Sequence, residues 1–115
     1  MRVLFDHNVP HKLRRFLQPH EVCTADEMFW NELENGALLK AGEDAGFSVM
    51  ITGDKNLSYQ QNLRGRKLAL IVLSTNRWKI IKENIAPIIQ ALVSATPGSF
   101  QTVTFELPPR RPRSQ

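Results

Sequence analysis

Three apolar runs of strand length limit what this chain can become. They are Arg2-Val-Leu-Phe5 ahead of Asp6, Ser48-Val-Met-Ile-Thr52 ahead of Gly53 and Asp54, and Leu68-Ala-Leu-Ile-Val-Leu73. The apolar residues follow one another instead of alternating with polar ones, which is the pattern of parallel strands covered on both faces. Stretches with helical spacing lie between them. A chain of this kind closes as an α/β fold. The expected architecture is a three-layer α/β/α sandwich with a mainly parallel sheet of four or five strands.

The helical stretches can be placed individually. Val9 to Leu17 brings Val9, Leu13, Phe16 and Leu17 to one face, with Asn8 as its expected N-cap. Leu33 to Gly46 carries Leu38, Leu39 and Ala45 inward, and Gly46 is suited to stop it. A long helix from Trp78 to Ala95 has a stripe of Ile80, Ile81, Ile85, Ile88, Ile89 and Leu92, and Pro87 is expected to kink or split it. His20 to Thr24 and Ser99 to Phe105 read as two further strands, and Ala25 to Trp30 as a turn or short helix. Residues 1–106 form one domain. Residues 107–115, rich in proline and arginine, are expected to be a disordered basic tail.

At 115 residues and 42% hydrophobic composition the chain can bury one substantial core. No apolar stretch approaches the roughly 20 residues of a membrane span. The first residues begin a strand with no basic-then-apolar leader, so the expected location is cytoplasmic. The single cysteine, Cys23, excludes an internal disulfide and a cysteine-based zinc cluster. Charge is unevenly divided. Residues 1–54 hold nine acids and five bases, and residues 55–115 hold two acids and ten bases. An acid-rich half beside a basic half suits an enzyme that holds a cation and binds a polyanion.

In an open parallel sheet, ligands sit beyond the carboxyl ends of the strands. Asp6 and Asp54 each follow a strand, so both are expected on that edge. Glu34 opens the helix that leads into the second of these strands and can face the same basin. Asp26 and Glu27, after the strand at His20 to Thr24, can also approach. Carboxylates collected in this way suit Mg2+ or Mn2+, which prefer hard oxygen ligands. Past Asp54 comes a polar stretch containing Lys55, Asn56, Tyr59, Gln60, Arg64, Arg66 and Lys67. Its amides, cations and one phenol can bind phosphate, sugar and base edges, so these are the expected RNA contacts. Arg77, Lys79 and Lys82 extend a positive strip. Trp30 and Trp78 are expected as partly buried anchors.

Asp6-His-Asn-Val-Pro10 behind an N-terminal strand, then Glu34-Asn-Gly-Ala-Leu-Leu39, then Val49-Met-Ile-Thr-Gly-Asp54-Lys-Asn-Leu57 resembles the short bacterial PIN-like proteins. These are compact relatives of the PIN-domain ribonucleases, many of them toxins of toxin–antitoxin pairs. The resemblance runs from Met1 to about Leu73. It implies a Mg2+- or Mn2+-dependent endoribonuclease site. The family's first aspartate falls on Asp6, its asparagine on Asn8, its helix-opening acid on Glu34 and its later aspartate on Asp54. It also implies RNA as substrate and a cognate antitoxin as partner. Two positions depart from the family pattern. Asn56 stands where a further aspartate is usual, and His7 stands where an acid commonly follows the first aspartate. These departures leave three readings open: a one-metal site, a changed activity, or a degenerate module that binds RNA or a protein without cutting. A receiver-like domain, phosphorylated on one aspartate, fits less well because no acid pair follows the first strand. The isoleucine-rich last helix is the expected face of a homodimer.

Overall fold

The computed structural model describes residues 1–33, 35–53, 63 and 65–105. Glu34, Asp54, Lys55, Asn56, Tyr59, Gln60, Arg64 and the tail therefore lie outside the described residues. Among the described residues are five strands: β1 (Arg2–Phe5), β2 (Glu21–Thr24), β3 (Val49–Thr52), β4 (Ala69–Leu73) and β5 (Phe100–Val103). A 3-10 helix spans His11–Leu17. The α-helices among the described residues are α1 (Asn35–Asp44), α2 (Trp78–Lys82) and α3 (Ile85–Ser94).

All five strands run parallel, in the order β2-β1-β3-β4-β5. The three central strands are nearly all buried, which explains their unbroken apolar sequence. The two edge strands are only partly covered and mix polar with apolar residues. Successive residues of a strand point to opposite faces. Val3, Phe5, Ile51 and Ile71 accordingly join one core, with Leu13, Leu17, Ile81, Ile88 and Leu92 from the 3-10 helix, α2 and α3. Leu4, Met50, Leu70 and Val72 join a second core with Leu38 and Leu39 of α1. The molecule is an α/β sandwich with an apolar core on each face of its sheet. Each of these fully buried large side chains contributes about 1.5–3 kcal/mol.

Two expected helices differ from their sequence reading. The helix expected from Val9 begins at His11 and is a 3-10 helix with no side-chain cap. A proline pushes the residue before it out of the helical region, so Pro10 excludes Val9 from the helix. Leu13 and Leu17 are buried, but Phe16 faces outward at 37% exposure. The long helix expected from Trp78 to Ala95 is two helices broken at Glu83 and Asn84. Pro87 sits in the first turn of α3, where its missing N–H costs nothing, and its ring excludes a helical carbonyl at Glu83, four residues earlier. Within the expected stripe, Ile81, Ile88 and Leu92 are buried and Ile89 is 40% exposed. The α1 helix stops as its glycine suggests: Gly46 has φ of 87°, and the Phe47 N–H returns to the Gly42 carbonyl at 3.0 Å. No helix among the described residues is long and apolar enough to cross a membrane.

Candidate functional site

The strand order reverses between β1 and β3. The chain leaves β1 toward β2 on one side and leaves β3 toward β4 on the other. Crevices beyond the carboxyl ends of strands at such a point are where open α/β sheets bind ligands. The β1–β3 register pairs Phe5 with Ile51, so Asp6 and Thr52 come next, side by side. The ladder continues through them, because the Asp6 N–H donates to the Ile51 carbonyl at 2.9 Å.

Asp6 is 6% exposed. Its Oδ2 accepts a hydrogen bond from the Thr52 hydroxyl at 2.7 Å, and its Oδ1 accepts one from the His7 N–H at 2.7 Å. Bonds to an ionised acceptor are worth about 1.5–3 kcal/mol each, which offsets part of the cost of withdrawing the carboxylate from water. Thr52, itself fully buried, was hidden in the sequence as the last residue of an apolar run.

Asn8 does not cap the 3-10 helix as expected. Its Oδ1 accepts from the Gly53 N–H at 2.9 Å, tying the loop after β1 to the end of β3. A side chain at Gly53 would meet Asn8 Cγ and Oδ1 at 3.4 Å and Asn76 Cβ at 3.5 Å. These are ordinary contact distances, and they show that the chain segments after β1, β3 and β4 meet at Gly53. His7 extends the arrangement. Its Nε2 donates to the Leu33 carbonyl at 3.2 Å and lies 3.9 Å from Asp6 Oδ1, and its Nδ1 stands 3.6 Å from Asp26 Oδ1. His7 and Asn8 thus bind Leu33 and Gly53, the residues that immediately precede Glu34 and Asp54 in the chain.

Of the two acids expected from the second strand, only Asp26 approaches this cluster. Glu27 is committed elsewhere. Its Oε1 accepts from the Thr24 N–H at 2.9 Å, and its own N–H donates to Thr24 Oγ1 at 3.1 Å, the reciprocal pairing of a capping box. Arg14 donates to the same Oε1. The Thr24 backbone bond and then the Arg14 contact hold the Glu27 carboxyl below its ordinary range.

The expected RNA contacts that can be located are not beside Asp6. Arg66 and Lys67 precede β4 and stand at the amino edge of the sheet. Arg66 pairs with Glu43 at 3.3 Å, and the Lys67 N–H donates to the same carboxylate at 3.2 Å. A groove of about 470 Å3 runs along that edge between Met1, Glu43, Phe47, Lys67 and Pro97. Arg77 follows β4 and belongs to the carboxyl edge.

Among the described residues no three of His, Cys, Asp and Glu converge to hold a metal ion. Two of the three expected ligands, Glu34 and Asp54, lie outside those residues. A carboxylate offers about four lone-pair sites. The bonds from Thr52 and His7 are therefore compatible with a cation on Asp6, and the oxygen donors Asp6 and Asp26 suit Mg2+ or Mn2+. Comparison with family models, with curated proteins and with solved structures found no match to this chain.

Proposed function

We propose that the chain is a metal-dependent endoribonuclease of PIN-like type, acting from the carboxyl edge between β1 and β3. One observation carries the reading. The buried Asp6 is fixed by Thr52, while its neighbours His7 and Asn8 bind Leu33 and Gly53, the residues before Glu34 and Asp54. In this reading Asp6 and Asp54 are ligands of a Mg2+ or Mn2+ ion, and Glu34 completes the shell or orients the attacking water. When bound, such an ion supplies Lewis acidity and brings the pKa of a water toward neutrality. Thr52 holds the Asp6 carboxylate in one orientation. Asn8 positions the backbone at Gly53 and so acts on Asp54 through the chain. The toxin role, with a cognate antitoxin, belongs to the same proposal and rests on the resemblance alone.

The test is cleavage of RNA by the purified chain in Mn2+ or Mg2+. Cleavage should stop in chelator and fall about 100-fold or more in Asp6→Asn and Asp54→Asn. Asn8→Ala should lose about 10- to 100-fold, as positioning residues at metal sites do. Cleavage that survives Asp6→Asn and Asp54→Asn overturns the proposal. The second reading is a non-catalytic module that binds RNA or a protein partner, and His7 favours it. The His7 imidazole stands between Asp6 and Asp26, in the space a cation shared by the two carboxylates would need. Calorimetric titration separates the two, because the binding module has no affinity for Mn2+ that depends on Asp6.

A further inference from the structure

Two segments leave the sheet at the carboxyl edge and carry no acid. Residues 7–20 hold Lys12, Arg14 and Arg15, and residues 74–82 hold Arg77, Lys79 and Lys82, without one aspartate or glutamate between them. They pack together. Leu13, Leu17 and Ile81 share a core, and the rings of Phe16 and Trp78 lie 5.8 Å apart. Arg14 is engaged by Glu27. The other five cations are exposed, and among the described residues none of them pairs with an acid. By contrast, among the described residues Arg2 is paired with Glu21, Lys40 with Asp44 and Arg66 with Glu43.

Positions 12, 15 and 16 are exposed while Leu13 and Leu17 are buried, so Lys12, Arg15 and Phe16 share the outer side of the 3-10 helix. Lys79 and Lys82 are three residues apart on α2 and share one side of it. The Phe16 ring is on the same side, with the Arg15 guanidinium 5.2 Å from its centroid and the Trp78 ring of α2 5.8 Å away. Trp78 is half-buried beneath it as an anchor. Uncompensated like charges held side by side cost stability. They suit a partner that brings the opposite charge. An exposed ring among cations further selects a partner with planar groups to stack. Single-stranded nucleic acid has both properties: phosphates for the cations and unpaired bases for the ring. An acidic peptide or an anionic vesicle offers charge alone.

We infer that the outer side of the 3-10 helix and α2 is a docking strip for single-stranded nucleic acid, built by Lys12, Arg15, Phe16, Arg77, Lys79 and Lys82. Both helices follow strands at their carboxyl ends, so the strip starts from the same edge of the sheet as Asp6. The choice of RNA as the natural strand rests on the nuclease reading. The charge and stacking argument does not.

The test is fluorescence anisotropy of the full chain with a labelled single-stranded RNA in EDTA, over a range of salt concentrations. The quadruple variant Lys12→Ala, Arg15→Ala, Lys79→Ala, Lys82→Ala should bind about ten-fold or more weakly. The slope of log affinity against log salt should fall by about 0.7 for each contacting cation removed. Phe16→Leu keeps apolar cover over Trp78 and should lose about ten-fold. Lys40→Ala, on α1 and the other face of the sheet, should bind as the parent does. Circular dichroism confirms that each variant is folded. Three results overturn the strip: wild-type binding by the quadruple variant, an equal loss in Lys40→Ala, or binding of poly-glutamate or anionic vesicles through these residues with no binding of RNA. Because binding is read without a metal, the two proposals fail separately. Absence of metal-dependent cleavage alongside loss of binding in the quadruple variant removes the nuclease and leaves the strip. Asp6-dependent cleavage with undiminished binding in the quadruple variant does the reverse.

Discussion

A carboxylate as enclosed as Asp6 must be held by donors, because burying an uncompensated charge costs far more than one hydrogen bond returns. The Thr52 hydroxyl is one such donor, and valine has the same shape without it. Thr52→Val should therefore cost about 1–3 kcal/mol, read as a lower urea midpoint with an unchanged slope. Thr52→Ser, which keeps the hydroxyl, should cost less. Asp6 was legible in the sequence because an acid that ends a buried strand needs a reason to be there. Thr52 was not. Its role follows from the register that pairs Phe5 with Ile51, and nothing in a run of apolar residues states which strand lies beside which. Asn8 was legible as a capping residue and misassigned in its target for the same reason. Its acceptor finds the Gly53 N–H across the sheet instead of one in its own helix.

Elements were read well where an unbroken apolar run defines them, as in β1, β3 and β4, and less well at their ends. Pro10 and Pro87 act on residues before them, so the 3-10 helix starts later than its apolar spacing suggests and the last helix divides at Asn84. The turn after β2 shows how an element can be tied to pH. The Thr24 and Arg14 contacts lower the pKa of Glu27 from its ordinary 4.5. A carboxyl whose pKa is lower folded than unfolded binds more protons when unfolded. Its stabilisation is complete above the unfolded value and is lost as pH falls through the folded one. Stability should therefore drop more steeply below about pH 4.5 in the parent than in Glu27→Gln, which has no charge to lose. Half of the Glu27 side chain is exposed, so solvent screening keeps the difference within about 1 kcal/mol. Thermal midpoints of the two proteins across acid pH measure it. Parallel curves would show that the turn does not depend on the charge.

At the scale of the molecule, the sequence yields the class of fold but not the lateral order of the strands. Both features on which the two proposals rest arise from that order. The reversal between β1 and β3 brings Asp6 and Thr52 together, and the placement of β4 two strands from β1 lets α2 lie against the 3-10 helix. The sheet also separates two cores, and that separation has a measurable consequence. Leu38 of α1 is fully buried in one core, and Ile88 of α3 is fully buried in the other. A sheet lies about 10 Å from an element packed on its face, so cavities at the two sites share no lining side chains. Leu38→Ala should cost about 2–5 kcal/mol, and Ile88→Val about 0.5–1.5 kcal/mol. The double variant should lose their sum to within about 0.5 kcal/mol, because residues this far apart with no common partner do not couple. Chemical denaturation of the four proteins closes the cycle. A coupling of 1 kcal/mol or more would mean that strain passes through the sheet, and the acidic edge and the basic strip would then have to be treated as one mechanical unit.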